Sequence, residues 1–291
     1  ELGGPFYTQG QAIAQLSNGP HSEVDSRLVL TSDASIHNAE QLHRGDLEFG
    51  FMASNWIGRA KNAAAPFTKN IAIRMVAPAN AGPRCFVKLA KAPIQSVADF
   101  KGQRIAIGTK GSGMEQHVHT IFDVLGISFD SFTPVHLSFV DGAEALVAGK
   151  IDVQFHPPIP NKVLTDLSER ADIRVIPFAP GQMDKVLAQI PFYRAVTVEK
   201  NAFRGVVEDV IQVGVINVIV THERIPERVV YDITKTIVDN FETLPRMNPL
   251  FKGLKELFEP LRTQGAAAFE FGGVPLHPGA IKAYKEAGYL K

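Results

Sequence analysis

The chain has 291 residues, 45% hydrophobic and 21% charged, with 30 basic residues balanced by 30 acidic ones. Zero net charge and the lack of a basic run argue against nucleic acid as the main partner. No uninterrupted apolar run reaches the ~18 residues of a membrane span, and the single cysteine, Cys85, excludes an internal disulfide and a cysteine metal cluster.

The opening Glu1-Leu2-Gly3-Gly4 reads as the end of a strand whose beginning, with any export signal, has been left off. Gly3-Gly4-Pro5-Phe6-Tyr7 turns into a helix with Ala12, Ile13 and Leu16 inward and Asn18-Gly19 at its end. Val29 and Leu30 read as a strand, and Ser35 as the cap of a short helix carrying Ile36, Ala39 and Leu42. Leu47, Phe49 and Phe51 alternate with Glu48, Gly50 and Met52, a strand that runs out at Ala53-Ser54-Asn55-Trp56. Strand and helix alternating in this way predict a mostly parallel sheet.

Arg84 to Leu89 reads as the next strand, followed by a short helix with Ser96 as cap and Asp99 three residues on. Then comes the stretch around which the chain is organised. Ile105 to Ile107 are a buried strand, Gly108, Gly111 and Gly113 form a tight turn, and Val118, Ile121, Phe122 and Leu125 recur at helical spacing up to Gly126. A strand running through glycines into a helix leaves free N–H groups at the positive end of the helix dipole, which suits a small anion. The spacing matches neither a P-loop, nor a dinucleotide fingerprint, nor a nucleophile elbow. A carboxylate held by backbone N–H groups and Ser112, or an ordinary capped helix, remains.

Beyond it lie a strand near Val135, a helix from Asp141 to Ala148, and the strand Ile151 to Phe155 that empties into His156-Pro157-Pro158-Ile159-Pro160. A strand at Ile173 to Ile176, a helix from Gly181, and Ile190-Pro191-Phe192-Tyr193 complete a second alternating segment. Val213 to Val220 is an apolar strand, and Pro226 opens a long helix with Val230, Ile233, Ile237, Phe241 and Leu244 on one face. The expected fold class is α/β, with two Rossmann-like lobes joined by two hinge crossings. Residues 1–90 with 205–291 form one lobe and 91–204 the other, and the ligand lies in the cleft at the strands' carboxyl ends.

Ser96 to Gly108 resembles the helix-strand signature of type II periplasmic binding proteins, the Venus-flytrap fold. Gly3 to Tyr7, Thr31 to Leu42, Gly108 to Glu115, Ile190 to Tyr193 and Val274-Pro-Leu-His-Pro-Gly279 together resemble, in order, the motifs of the TAXI family, the TRAP-associated extracytoplasmic immunogenic solute receptors. The resemblance implies a periplasmic receptor that captures a small organic carboxylate by lobe closure. It would deliver the solute to the membrane subunits of a TRAP transporter, as a monomer, with no cofactor, metal or nucleic acid. It also implies ligand contacts from Gly4, Phe6 and Tyr7, from Ser54 and Asn55, from Gly111, Ser112, Gly113 and Met114, and from His156 and Tyr193, and the neighbouring Trp56 is read as able to stack on the ligand. Three departures stand out: Ala53 replaces the family's glutamine, Met114 its threonine, and Phe155-His-Pro-Pro-Ile-Pro160 its glycine-bearing loop. They point to a less polar pocket and a solute with one carboxylate on a more apolar or ring-containing body.

Several residues admit a second role. Ser54 and Asn55 can cap a helix, Trp56, Phe6 and Tyr7 can pack between lobes, and His156 can stabilise its loop. Arg84 reads as solvated or salt-bridged rather than as a carboxylate contact. His117 and His119 lie about 200° apart on their helix, cannot share a metal ion, and read as solvated flank residues. His277 reads as the cap of the last helix. Ser112 with His156 as a catalytic dyad is the enzyme alternative. It lacks an orienting acid.

Overall fold

A computed structural model describes residues 5–19, 24–29, 34–156, 159, 161–190 and 192–291. Gly4, Leu30, Thr31 and the prolines 157, 158, 160 and 191, which figure in the sequence reading, lie outside the described residues. In chain order the elements are α1 (Pro5–Ser17), α2 (Ala34–Arg44), β1 (Phe49–Ala53), α3 (Ile57–Lys61), β2 (Ile73–Leu89), β3 (Arg104–Ala106), α4 (Gly113–Leu125), β4 (Thr133–Val135), α5 (Phe139–Val147), β5 (Val153–His156), α6 (Lys162–Arg170), β6 (Ile173–Ile176), α7 (Gln182–Gln189), β7 (Tyr193–Val198), β8 (Val210–His222), α8 (Glu227–Asp239), α9 (Leu244–Met247), α10 (Leu254–Gln264) and α11 (Pro278–Glu286).

Two compact units emerge: Glu1–Ala81 with Ile216–Lys291, and Gly82–Val215. The chain passes from one to the other inside β2 and again inside β8, so each crossing is continuous strand rather than loop.

In the first unit β1 and β8 pair antiparallel, from Phe49 opposite Thr221 to Ala53 opposite Asn217. The parallel sheet expected from alternating strand and helix is therefore corrected here. The partner of β1 arrives from the far end of the chain, where no helical crossover dictates its direction. Val29 lies in irregular structure and is 52% exposed, so the expected strand does not include it. Two apolar residues beside Asp25 and Arg27 offer too little surface to hold a strand in place. Ser35 sits inside α2, and its hydroxyl accepts the Ala53 N–H at 3.0 Å, tying α2 to the end of β1 instead of capping a helix. The long helix expected after Pro226 stops at Asp239, and Leu244 opens the separate α9. His277 accepts the Gly279 N–H at 3.1 Å and caps α11.

In the second unit β2 lies between β5 and β6, antiparallel to both, while β3 runs parallel to β5 and β4. The two faces bury different sets. Cys85, Val87, Ala106, Leu146, Leu164 and Leu167 share one core cluster. On the other face Phe86 meets Phe100, Phe122 and Phe155 at centroid distances of 5.0, 5.8 and 4.5 Å. Side chains alternate along a strand, so Arg84 shares the aromatic face with Phe86, while Cys85 faces the aliphatic cluster. His156 is the cross-strand partner of Cys85 and therefore shares that aliphatic side.

Candidate functional site

The glycine turn ahead of α4 is built as the sequence suggests. Ser112 caps the helix, accepting the Glu115 N–H at 3.3 Å. Gly108 has φ 97°, and a Cβ there would stand 2.8 Å from Met114 Cβ and 2.9 Å from Ser112 Oγ, so only glycine fits. The positive end of α4 nevertheless holds a carboxylate of the chain itself. Glu115 Oε2 accepts the Gly111 N–H at 2.5 Å, and Oε1 lies 2.7 Å from His136 Nε2. Burial pushes the Glu115 carboxyl upward, but the bonds from His136 and Gly111 outweigh it and hold the group below its ordinary range. Gly113 is the first residue of α4, and Met114 is half-buried.

The more distinctive cluster lies on the aromatic face of the second unit. Arg84 is 6% exposed, and its Nε and Nη1 are buried with no hydrogen-bond partner. Burial lowers the guanidinium to about 10, partly offset by the nearby Tyr193, so it remains a cation at neutral pH. Tyr193 Oη lies 2.7 Å from His117 Nδ1, both side chains being buried. Burial and the Arg84 charge hold His117 well below its ordinary value, and burial raises the Tyr193 phenol. The solvated reading of His117 is corrected: it is 3% exposed and bonded, whereas His119 is exposed and stacks on Phe129 at 3.7 Å. His117 lies one residue before Val118 and four before Ile121, at an edge of the buried stripe that Tyr193 covers.

His156 is fully buried on the opposite face. Gln154 donates through Nε2 to the Phe139 carbonyl at 2.9 Å, which turns its Oε1 toward His156 Nε2 at 3.0 Å. His156 Nε2 therefore carries the proton, and Nδ1 is a buried acceptor with no partner. Burial drops this imidazole to about 3, so it is neutral. Ser112 and His156 share no hydrogen bond; each has a different partner.

In the first unit Phe6 stacks on Phe51 at 5.4 Å and Tyr7 is half-buried. Ser54 is buried, and Asn55 carries a buried Oδ1 with no partner. Trp56 is 7% exposed, meets Phe67 edge-on at 6.3 Å and lies under the Arg59 guanidinium at 5.5 Å, which is how a core tryptophan packs. Gln9, Asn80 and Asn217 also form a buried amide group. The reading of Arg84 as solvated or salt-bridged is corrected, since the side chain is buried with Nε and Nη1 unpartnered, and sequence reasoning did not single out Gln9 or Asn80. For Arg84 the signal was present: a cation flanked by Cys85, Phe86 and Val87 in an otherwise apolar strand is seldom buried without a purpose. Among the described residues no group of three His, Cys, Asp or Glu side chains could hold a metal ion.

A family model described as the NMT1-like family matches residues 1–288. Among solved structures, the chain resembles a TctC solute binding protein from Polaromonas, at 14% identity and TM-score 0.52, over 86% of this chain and 82% of that one. It also resembles the "probable amino-acid ABC transporter extracellular-binding protein ytmK" of Bacillus subtilis, at 14% identity and TM-score 0.50, over 89% of this chain and 88% of that one. At these identities the likeness speaks for the fold: α/β, of the two-lobed periplasmic binding type.

Proposed function

The chain belongs to the NMT1-like family, and from that premise we propose that it is an extracytoplasmic solute-binding protein that captures a small organic acid by lobe closure and passes it to membrane transporter subunits. The observation that carries the reading is Arg84. A buried guanidinium with two sets of N–H donors unmet is costly alone and matches a carboxylate, or a similar planar anion, in shape and charge. Arg84 is the proposed anchor, with Tyr193 and His117 beside it. The turn at Gly111, Ser112, Gly113 and Met114 and the residues Phe6, Tyr7, Ser54 and Asn55 belong to the proposal as further contacts, carried over from the TAXI resemblance. His156, on the face of the sheet opposite Arg84, and Trp56, packed against Phe67 and Arg59, do not.

Within that reading the receptor is of the TAXI type and serves a TRAP transporter. The names of the two structural neighbours, one an ABC amino-acid protein and one a TctC protein, support import of a small solute without fixing the membrane partner. Ala53 and Met114 in place of polar side chains favour a solute with one acidic group and a more apolar body.

Native mass spectrometry of gently purified protein should find a retained acid, and thermal-shift screening against monocarboxylates, dicarboxylates, amino acids and aromatic acids should find one that raises the melting temperature. Arg84→Met should abolish that shift while leaving the protein folded. No stabilising acid in the panel, or an acid shift that survives Arg84→Met, sinks the reading. Enthalpy-driven glutamate binding at high affinity would overturn the apolar-pocket part alone.

A further inference from the structure

The first unit contains a group of buried amides that neither a strand ladder nor a helix cap uses. Gln9 on α1 is fully buried, and Asn80 on β2 and Asn217 on β8 are 5% and 4% exposed. Asn80 Oδ1 accepts two amide donors, Gln9 Nε2 at 3.3 Å and Asn217 Nδ2 at 3.2 Å. Those bonds fix which way the Gln9 amide faces, because the flipped group would set its oxygen against that of Asn80. Gln9 Oε1 is left buried with no partner. A buried carbonyl without a donor destabilises the unliganded protein, and a fold that only needed to tie α1 to β2 could do so with an apolar contact.

We propose that Gln9 Oε1 is the acceptor of a subsite in the first unit for an uncharged hydrogen-bond donor on the solute, a hydroxyl or a carboxamide. The inference rests on the solute-binding reading. The charge of the strands beside Gln9 and of its own helix argues against an ammonium group. Neither α1 nor β1 carries an Asp or Glu, and neither do the stretches of β2 and β8 that belong to this unit, residues 73–81 and 216–222. An ammonium buried there would have no counter-charge on these elements, whereas a neutral donor needs only the lone pairs that Gln9 offers.

Matched pairs of acids test this: succinate against malate and succinamate, butyrate against 3-hydroxybutyrate, and benzoate against 4-hydroxybenzoate, with aspartate as the ammonium-bearing control. In the wild-type protein the donor-bearing member of at least one pair should bind at least tenfold more tightly by calorimetry than its parent, and aspartate should gain nothing over succinate. Gln9→Met should reduce the preferred acid to its parent's affinity and should raise the melting temperature of the unliganded protein. Equal affinities within every pair overturn the proposal, as does a Gln9→Met protein that keeps the discrimination. The wild-type comparison stands even if Gln9→Met fails to fold, and Gln9→Leu repeats the variant arm. If parent acids bind and the added donor brings nothing, this inference falls alone. If no acid binds, the solute-binding reading falls with it.

Discussion

Glu115 Oε2 accepts the Gly111 backbone N–H at 2.5 Å, so the amino end of α4 is neutralised by a carboxylate from its own first turn. The same carboxylate reaches His136 Nε2 at 2.7 Å and thereby ties α4 to the residue after β4. Glu115→Gln keeps the shape and removes the charge. It should lower stability by about 0.5–1.5 kcal/mol, the net worth of a hydrogen bond in this setting, as read by urea denaturation. If Arg84 is the anchor, acid affinity stays within about twofold, far below the 1.4 kcal/mol that a tenfold change represents. A tenfold gain in affinity would instead move the anchor to this turn.

Arg84 predicts an inverse relation between stability and binding. Its guanidinium is buried and Nε and Nη1 are unmatched, so an apolar side chain of similar length removes a desolvated charge. Arg84→Met should raise the stability of the unliganded protein by about 1 kcal/mol or more. Arg84→Lys should not, because it keeps the charge without the planar fork. Chemical denaturation of all three proteins in the absence of acid separates these outcomes. A loss of stability in Arg84→Met would mean that the arginine is a structural strut.

The Tyr193 hydroxyl can be tested apart from Arg84. Tyr193→Phe leaves His117 Nδ1 buried with nothing to bond, since Tyr193 is its partner at 2.7 Å. The expected loss is about 1–3 kcal/mol for an orphaned buried polar group. His117→Phe in the same background should recover part of it, because the double change removes both partners. A double variant no more stable than Tyr193→Phe would show that the ring is held by packing alone.

Where one local rule settled the matter, the sequence was legible. Ser96 and Asp99 form the expected capping box, with Asp99 Oδ2 accepting the Ser96 N–H at 2.9 Å. The stripe Val118, Ile121 and Phe122 is buried, and Gly126 takes the left-handed cap conformation, φ 72°. Legibility ended where distant segments meet. The antiparallel pairing of β1 depends on β8, and nothing near Phe49 announces it. His117 looked like a flank residue because helical periodicity locates one buried stripe and says nothing of a second element, here β7, that covers its edge. The anion site was read from glycine spacing alone. The carboxylate that occupies Gly111 sits four residues on, where it could equally have faced solvent.

Two of the buried histidines, His117 and His156, contribute to the acid side of the stability profile. Burial lowers His156 to about 3, and burial with the Arg84 charge lowers His117 well below its ordinary value. Both are neutral in the folded protein, while in the unfolded chain each protonates near pH 6.5. As the pH falls below that value the unfolded state binds the extra protons, so stability declines at about 1.4 kcal/mol per pH unit for each histidine. For His156 the loss continues until its folded value near 3 is passed. Urea denaturation at pH 7.5, 6.0 and 5.0 should show the decline, and His156→Gln should reduce its slope by about one proton. A slope unchanged by that substitution would mean that His156 is protonated in the folded protein.

Arg104 and Asp152 join the start of β3 to the residue just before β5. The guanidinium donates to both carboxylate oxygens, at 3.0 and 2.7 Å, the Arg104 N–H adds a third bond at 2.8 Å, and the Asp152 N–H returns one to the Arg104 carbonyl at 2.9 Å. The Arg104 side-chain bond, with the backbone N–H and the charge behind it and burial opposing, holds the Asp152 carboxyl below its ordinary value. A lowered folded value means stability that is complete above the ordinary carboxylate range and is lost as the pH falls through the folded value. The arginine is 43% exposed and the aspartate 28%, so solvent screens the charge term, and Asp152→Asn should cost only about 1 kcal/mol at pH 7. Wild type and variant should then converge as the pH drops below about 3.9, where the unfolded aspartate also protonates. A gap that stays constant from pH 7 to pH 3 would assign the effect to the lost hydrogen-bond geometry and not to the charge.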